Sequence, residues 1–524
     1  GKPNFTVSTP DGSGGAYFAW VDARSAPEFG IYLQRVDGAG NPQWAVNGIS
    51  LGTSHGTYQS NVLCGDGEGG AIVVWRDFRA DTAGNLYANR VNPAGVLQWG
   101  AAGVAVSLGA RHEERIVACS DGAGGVFVAW QDDRDSIRTI RAQRVDPEGN
   151  LLWPADGVVA APSGSDQRAP RIAADGMGGV LIGWSDQQQA AGAVFAQRLS
   201  GAGARLWAPF GVQLCTSAFN NYLEAIAADG SGGALAVWQD NRSQNLWAQA
   251  FAQRVDASGN LAWAVDGVSL SGTTYPVQAA SICSDGQGGA IVEWDSYENN
   301  GWHSYMAQRL SPSGTKLWAL PGIEAGRGYD GSFLTTCRIF SDGAGGAVFG
   351  WVSGAGGDSI LAQRLGPLGN KLWSSEGVVL AALSEPVWQL GFVPDGSGGA
   401  IGHWLQEDGV SGGYSVAAQR VNGSGTLGVP SVPISIPALT CVPTPARARA
   451  GVELRFASRL SNVQVQIFDL GGRLIRTLHE TSRTPAGARW DGRDAGGHLA
   501  APGIYAVRVL SGETVARGRL VIIE

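Results

Sequence analysis

A five-residue segment, Asp-Gly-x-Gly-Gly, occurs eight times along the chain, and its spacing constrains the fold more than any other feature. The intervals between successive copies run from 53 to 57 residues. A period of this length is typical of architectures in which one supersecondary unit is repeated. The copies begin at Asp11, Asp66, Asp121, Asp175, Asp229, Asp285, Asp342 and Asp395.

Each copy carries the same pattern around this segment. A short strand precedes it, and an apolar strand follows that ends in a Trp nine residues after the Asp. After a variable loop come a strand with the pattern x-A-Q-R-[VL], a turn containing Gly, and a second Trp. The first Trp and the Arg occur in all eight copies, whereas the last copy lacks the second Trp. The pattern predicts about four strands per copy.

Four short antiparallel strands at a fixed period predict a β-propeller in which each copy is one blade. Eight copies predict eight blades, and neighbouring blades stacked around an axis cover both faces of each sheet. Strands such as "AIVVW" are almost continuously apolar, as a strand covered on both faces requires. Because a Trp buries on the order of 200 Å², we expect the first Trp to pack between blades.

Composition excludes several classes of protein. No apolar run of 18 residues occurs, so no transmembrane segment is predicted. Residues 438–524 carry 12 Arg and 7 acidic residues, which leaves 25 basic and 38 acidic residues before them. An acidic main body argues against nucleic acid as a partner. Cys64, Cys119 and Cys283 each lie two residues before a repeat Asp, and we expect buried free thiols at these equivalent positions.

The third and fifth copies contain "RVDPEGNLLW" and "RVDASGNLAW". These segments resemble the tryptophan-docking motif of the eight-bladed quinoprotein propellers and of related PQQ-like repeat proteins, although the interval from Asp to Trp is one residue shorter. The resemblance implies a strand order in which the strand before Asp-Gly-x-Gly-Gly is innermost, and it is not extended to quinone chemistry. On this order "NFTVST" opens blade one and "PSVPISI" closes blade eight. The alternative, in which "NFTVST" completes the last blade as a clasp, stays open.

Residues 445–524 have no copy elsewhere in the chain and follow a Pro-rich linker at 438–444. Alternating segments separated by Gly-rich turns predict a small β-sandwich here. "VQVQIFDLGGRLIRTL" and "ARWDGRDAGGHLAAPGIYAVRV" resemble the FlgD-type immunoglobulin-like domain and the C-terminal sorting domain of type IX secretion substrates. The resemblance implies an extracellular or outer-surface bacterial protein from which a signal peptide has been removed. Its residues look structural, and they are Ile467, Asp469, Gly472, Arg473, Trp490, Asp491, Gly492, Gly497, Gly503 and Tyr505.

The repeated polar residues favour structural roles. Asp-Gly-x-Gly-Gly lacks the Lys and Ser/Thr of a P-loop and the alternate oxygen ligands of a calcium loop, whereas Asp and Gly suit a hairpin turn. W-x-D-x-R predicts an ion pair at the exit of the second strand, with a cation-binding acidic ring as the alternative. The repeated Gln-Arg is predicted to contact backbone carbonyls or that Asp. The W-x-D-x-R pairs are Asp22/Arg24, Asp77/Arg79, Asp132/Arg134 and Asp240/Arg242.

The sequence contains none of the catalytic motifs considered for a propeller of this kind. The six histidines show no paired metal spacing, no G-x-S-x-G occurs, and no adjacent cysteines occur. We therefore predict no catalytic residue, no metal and no cofactor.

The loops between the second and third strands, and those between blades, emerge on the same face of a propeller. They vary between copies and carry aromatic residues, Tyr222 among them, that we expect to be exposed. Such residues suit stacking against sugar rings or anchoring a protein partner, and packing of the loops is the alternative. The candidate binding residues are Trp247, Tyr297, Trp302, His303, Tyr305 and Tyr329.

The sequence thus predicts an all-β protein with an eight-bladed β-propeller of four-stranded blades over residues 1–437 and a small Ig-like β-sandwich over 445–524. We expect a secreted or cell-surface, non-catalytic platform that binds a protein or a polysaccharide. One alternative is an extracellular carbohydrate-active or quinone-dependent enzyme that uses the same face. Another is a structural subunit of a surface layer or filament, hence a homo-oligomer.

Overall fold

The computed structural model describes residues 4–22, 29–45, 47–54, 61–79, 84–107, 113–134, 137–162, 164–188, 191–217, 221–242, 248–271, 275–298, 301–329, 338–354, 359–383, 387–407, 414–428, 440–442, 446–447, 452–455, 464–469, 473–479, 487–511 and 514–523. This part of the chain is all-β and contains no α-helix, so the described residues offer no helix that could span a membrane. The chain divides into two units, residues 1–406 with 416–433, and residues 407–415 with 434–524.

The first unit forms eight antiparallel sheets among its described residues, seven with four strands and the last with three. The predicted eight-bladed β-propeller is therefore confirmed. Blades one to four consist of β1 (Asn4–Pro10), β2 (Ala16–Asp22), β3 (Phe29–Val36), β4 (Ile49–Ser54); β5 (Asn61–Gly65), β6 (Ala71–Asp77), β7 (Asn85–Val91), β8 (Val104–Ser107); β9 (Glu113–Ser120), β10 (Val126–Asp132), β11 (Thr139–Val145), β12 (Val158–Val159); and β13 (Asp166–Ala174), β14 (Val180–Gln188), β15 (Ala191–Leu199), β16 (Val212–Gln213). Blades five to eight consist of β17 (Asn221–Ala228), β18 (Ala234–Asp240), β19 (Gln249–Val255), β20 (Val268–Ser269); β21 (Val277–Ser284), β22 (Ala290–Glu298), β23 (Trp302–Leu310), β24 (Ile323–Tyr329); β25 (Arg338–Ser341), β26 (Ala347–Ser353), β27 (Ser359–Leu365), β28 (Val378–Ala382); and β29 (Trp388–Pro394), β30 (Ala400–Glu407), β31 (Tyr414–Val421).

The strand before each Asp-Gly-x-Gly-Gly segment is the innermost of its blade. The first strands of successive blades lie side by side, and β29 of the last blade lies beside β1 of the first. Across this seam the Thr6 backbone N–H donates to Gln389 Oε1 at 2.7 Å. Since β1 pairs with β2 in the order β1-β2-β3-β4, "NFTVST" opens blade one and the clasp alternative is wrong. The predicted closing segment "PSVPISI", residues 431–437, lies outside the described residues.

The propeller core lies between blades. The first Trp of each copy is at most 4% exposed in all eight blades. Its neighbours come from two adjacent blades; one cluster joins Val74 of blade two to Trp130 of blade three. Burial of apolar surface contributes on the order of 25 cal/mol per Å² to stability, so these large side chains stabilise the packing of each blade on the next. The predicted inter-blade packing of the first Trp is confirmed.

Each Asp-Gly-x-Gly-Gly segment is the turn between the first and second strands. In the seventh copy, Asp342 Oδ1 accepts hydrogen bonds from the backbone N–H groups of Ala344 and Gly346, both at 2.8 Å. The first two of its three glycines have positive φ, 74° at Gly343 and 84° at Gly345, a conformation that favours glycine. The carboxylate thus satisfies the donors of its own turn, and the structural interpretation of the segment is confirmed.

The Arg of the third strand links its own turn to the next blade. Arg364 Nε donates to Asp342 Oδ2 at 2.9 Å, and its Nη1 donates to the carbonyl oxygen of Gly423 in blade eight at 2.9 Å. The second Trp of the same copy, Trp373, donates its Nε1–H to that carbonyl at 3.1 Å. The expected carbonyl partner is confirmed, but the carboxylate partner is the Asp of the turn rather than the Asp of W-x-D-x-R, because the Arg lies beside the turn.

The W-x-D-x-R ion pair is confirmed where the structure describes both residues. Arg134 Nη2 lies 2.8 Å from Asp132 Oδ2, and Arg242 Nη2 lies 2.5 Å from Asp240 Oδ2. The same pair forms between Asp77 and Arg79, whereas Arg24 lies outside the described residues. Cys64 and Cys215 are buried free thiols, and Cys119 and Cys283 are free and partly buried. Burial raises the pKa of the Cys64 thiol to about 12.

The second unit has two described sheets, one of three strands and one of five. Alternate apolar side chains from both sheets meet in one core that contains Val452, Ile467, Trp490 and Tyr505. The expected Ig-like β-sandwich and the core positions of Trp490 and Tyr505 are confirmed. Its strands are β32 (Thr440–Val442), β33 (Ala446–Arg447), β34 (Val452–Arg455), β35 (Gln464–Phe468), β36 (Leu474–His479), β37 (Gly487–Trp490), β38 (Gly503–Ser511) and β39 (Thr514–Ile523), in the orders β32-β34-β37 and β33-β39-β38-β35-β36.

Candidate functional site

One face of the propeller carries the ends of the second strands and the beginnings of the innermost strands. In blade six, β22 and β23 reach this face and bring four of the candidate residues close together. Tyr329, at the end of β24, lies opposite Trp302 in the register. Trp247 lies outside the described residues.

Trp302 is the exposed member of this group, and Tyr329 beside it is half-buried. Together with Arg327 and Tyr297 we call these residues the aromatic patch. The Trp302 side chain is 39% exposed, and its ring meets that of Tyr329 edge-on at 5.6 Å between centroids. The Arg327 guanidinium lies 5.2 Å from the centre of the Trp302 ring and 2.5 Å from Glu298 Oε2. A Trp ring held between an Arg and a Tyr offers a flat surface for stacking.

His303 and Tyr305 are buried, which corrects the expectation that their rings are exposed. Successive residues of a strand point to opposite faces, so these two side chains share the face of β23 that is turned away from Trp302. There His303 Nδ1 lies 2.8 Å from Asp295 Oδ1. Tyr305 packs against Trp351 of blade seven with 6.0 Å between ring centroids. At these two positions the side chains pack within the protein, as in the alternative to ligand binding.

The same face holds a cavity of about 360 Å³ above blades three to five. Its volume falls in the range of small-molecule sites. We call it the arginine pocket because three of its lining residues are Arg115, Arg168 and Arg171. The other lining residues are Ala169, Ser185, Asp186, Gln187, Gly192, Asn221, Tyr222, Leu223, Glu224 and Gln239.

β-Bulges at the beginnings of the innermost strands bring these side chains together. The pairing register shifts between Arg168 and Arg171 in β13 and between Leu223 and Ala225 in β17, so Glu224 lies within a bulge. Arg115 and Ala169 have positive φ, at 51° and 52°. Bulges of this kind redirect a side chain away from the ladder, and here they do so in three adjacent blades.

Charges of both signs line the pocket. Desolvation lowers the pKa of the Arg171 guanidinium, the Glu224 carboxylate opposes this, and Arg115 and Arg338 lower it further. Burial raises the pKa of Glu224, while Arg171 and a hydrogen bond from Gln239 at 2.8 Å act in the opposite direction. Polar groups with these opposed charges suit a ligand that carries both an acidic group and hydroxyl groups.

The arginine pocket was not predicted from the sequence, although Tyr222 belonged to the wider set of loop aromatics. Its residues lie in strands whose counterparts in other copies are mostly apolar. The available signal was the segment "QRAPR" before the fourth Asp-Gly-x-Gly-Gly, which places two Arg in an innermost strand. Among the described residues, no group of three or more His, Cys, Asp or Glu side chains is placed to hold a metal ion.

Several solved structures are remotely similar to this chain. The chain is similar to PorZ, an essential bacterial surface component of the type IX secretion system of Porphyromonas gingivalis, at 11% identity over 99% of this chain and 81% of that chain, with a TM-score of 0.27. It is similar to an ulvan lyase at 10% identity over 68% and 90%, with a TM-score of 0.44. It is similar to an endo-arabinase from Bacteroides thetaiotaomicron at 12% identity over 46% and 89%, with a TM-score of 0.26.

The curated proteins contain no sequence that matches this chain. Residues 441–514 match the model of the FlgD Ig-like domain. The match falls on the second unit and includes the core residues Trp490 and Tyr505. The resemblance of this region to the FlgD-type immunoglobulin-like domain is confirmed.

Proposed function

We propose that this protein is a secreted or cell-surface bacterial protein whose propeller is a non-catalytic binding platform for a glycan or a protein partner. The observation that carries the proposal is the arginine pocket, a polar cavity of about 360 Å³ on the face where the variable loops emerge. A pocket with convergent polar groups beside an aromatic side chain is the usual form of a ligand site. Tyr222, which is 47% exposed, supplies that aromatic surface.

The second unit supports the proposed location. Its match to the FlgD Ig-like domain agrees with a role in export, anchoring or subunit contact at the cell surface. The finer likeness to type IX sorting domains is part of the proposal. Fractionation of native cells tests it, since the protein is expected in the medium or at the outer surface. Recovery in the cytoplasm would contradict the proposed location.

A glycan array and a pull-down from surface extracts test the binding role. We expect Tyr222→Ala to weaken the captured interaction at least about tenfold, because an aromatic contact and its buried area are lost. Tyr275→Ala is the matched control, since Tyr275 is also exposed, at 39%, and does not line the pocket. Trp302→Ala tests the aromatic patch in the same assays. Unchanged binding in Tyr222→Ala would remove the pocket from the proposal.

A second candidate is a carbohydrate-active enzyme that uses the same pocket. It is favoured by two carboxyl groups there, Asp186 and Glu224, since burial raises the pKa of Glu224 as a general acid requires. Chromatography of polysaccharides after incubation with the protein tests this function. Shortened products that disappear with Glu224→Gln would support it, and intact polysaccharide would leave binding alone.

A further inference from the structure

Of the three Arg side chains in the arginine pocket, only one forms an ion pair with a carboxylate among the described residues. Arg168 Nη2 lies 2.5 Å from Asp166 Oδ2, an oxygen that Arg138 shares at 3.2 Å. For Arg115 and Arg171, in contrast, the described residues supply no carboxylate at ion-pair distance. Guanidinium groups that repel one another in a partly desolvated cavity favour an added anion.

Arg171 is held in place by main-chain acceptors. Its Nε donates to the carbonyl oxygen of Glu224 at 2.6 Å, and its Nη1 donates to that of Pro170 at 3.2 Å. Nη2 has no acceptor among the described residues, so a donor of fixed direction remains at the cavity. Arg115 is exposed and makes no described hydrogen bond. Two adjacent guanidinium groups with spare donors match the paired oxygens of a carboxylate or a sulfate.

The carboxyl groups of the pocket have partners within the chain. Glu224 Oε1 accepts from Gln239, and the Trp184 Nε1–H donates to Asp186 Oδ2 at 3.4 Å. Because these carboxyl groups bond to Gln239 and Trp184, they do not occupy the remaining N–H donors of Arg115 and Arg171. The exposed Tyr222 ring lies at the same cavity and suits the apolar face of a sugar ring.

From this geometry we infer that the pocket binds an acidic sugar, with its carboxylate or sulfate group on Arg115 and Arg171 and its ring against Tyr222. This inference rests on the proposed binding function and specifies its ligand. A long polyanion does not fit, because residues 1–437 carry 38 acidic and 25 basic side chains and repel it. The recognised unit is one or two acidic sugars in a cavity of about 360 Å³.

Isothermal titration calorimetry on the full chain tests the inference with three probes: methyl β-glucuronoside, glucose 6-sulfate and the neutral methyl β-glucoside. We expect at least one acidic probe to bind about tenfold more tightly than the neutral probe at low salt, and added salt to reduce the difference. The two acidic probes distinguish a carboxylate ligand from a sulfate ligand.

Arg171→Gln and Arg115→Gln are expected to remove the preference for the acidic probe. Arg115→Gln keeps the test valid if Arg171→Gln unfolds, because Arg115 makes no described contact that folding requires. Arg508→Gln removes the same charge from an exposed position in the second unit, and it is expected to retain the preference.

Equal binding of acidic and neutral probes overturns the inference and leaves the binding function in place. Binding of no probe also overturns it, and the glycan array and pull-down then decide the binding function separately. A preference retained in both pocket variants overturns the assignment to this pocket.

Discussion

At the scale of single residues, one carbonyl oxygen per blade explains why the chain repeats both an Arg and a second Trp. In seven copies the Arg and the Trp donate to the same carbonyl of the next blade, as Arg254 and Trp263 do to Pro312 at 3.3 and 3.0 Å. In the last copy Val429 stands at the position of the Trp, nine residues after the Arg, and lies outside the described residues; there Arg420 donates to Gly38 at 3.1 Å. The seam between blades eight and one therefore lacks one donor and one indole ring.

Restoring that Trp is expected to stabilise the propeller. A cavity lies at the seam, lined by Phe18, Gly38, Ile401 and Arg420 among others. We expect Val429→Trp to raise the free energy of unfolding by about 1–3 kcal/mol through apolar burial and one hydrogen bond. Urea denaturation measures the change.

The control for this substitution is Leu368→Trp, which adds a Trp at a turn position that is 85% exposed. It is expected to leave the free energy of unfolding within about 0.5 kcal/mol of the original. A lower value for Val429→Trp than for the control would show that the indole does not fit the seam.

At the scale of the elements, the innermost strands combine a shared end with a variable beginning. Their ends lead into the Asp-Gly-x-Gly-Gly turn, where the Asp and Arg contacts recur in every blade. Their beginnings carry the bulges, and there the side chains differ, as at Arg115 and Glu224. The shared ends hold the fold, and the variable beginnings form the candidate site.

Glu113, at the beginning of β9, makes the stability of blade three depend on pH. It is fully buried, and burial raises its pKa to about 7, against a hydrogen bond from Ser107, with nearby Asp132 raising it further. Because the folded protein favours the neutral acid, this contribution to stability is complete below about pH 4.5 and is lost as the pH rises to 7.

We therefore expect Glu113→Gln to reduce the decline of the urea midpoint between pH 5 and pH 8, because Gln stays neutral throughout. At pH 8 the variant should be at least as stable as the original protein. Glu148→Gln, at an exposed turn position, controls for the loss of one negative charge. Equal pH dependence in the two variants would contradict the assignment to Glu113.

At the scale of the whole molecule, the propeller is closed by the Arg contact that also joins its other neighbouring blades. The same Asp, Arg and carbonyl arrangement occurs at the seam, where Arg420 pairs with Asp395 at 2.9 Å and reaches Gly38. Among the described residues, the first and last blades are thus joined by the same ion pair and carbonyl contact as the others, without the second Trp. Closure removes the exposed sheet edges that an open array would have.

The turn carboxylates predict how the propeller responds to acid. Burial alone raises the pKa of Asp229, but hydrogen bonds from Ser231, Arg254 and Gly233 lower it below 3.8, and similar contacts lower those of Asp11 and Asp395. A lowered pKa contributes stability above the unfolded value, and this is lost as the pH falls through the folded value. We expect the urea midpoint to fall steeply below about pH 4.

Asp229→Asn tests this assignment, since it removes one of the titrating groups. The variant is expected to be less stable at pH 7 and to lose less of its remaining stability between pH 4 and pH 2. A slope in this range equal to that of the original protein would show that the turn carboxylates are not the groups that respond to acid.

Much of the fold was predictable from the sequence because its determinants are local and repeated. The eight turns, the buried first Trp and the order of strands within a blade each depend on residues at fixed short spacing. Repetition at 53 to 57 residues then implied that identical units stack and cover one another. The second unit was predictable because its turn and core residues match a known domain.

The tertiary structure alone decided the candidate site. Arg115, Arg171 and Glu224 belong to three copies and lie more than 50 residues apart, and of the three only Arg171 has a counterpart of the same type in another copy, Arg338. They meet because adjacent innermost strands lie side by side and bulges redirect their side chains. Likewise, packing buried His303 against Asp295 and Tyr305 against Trp351 of the next blade, while Trp302 stayed exposed. Which face of a strand meets its neighbour depends on how whole blades pack, and this is not encoded in the spacing of any single motif.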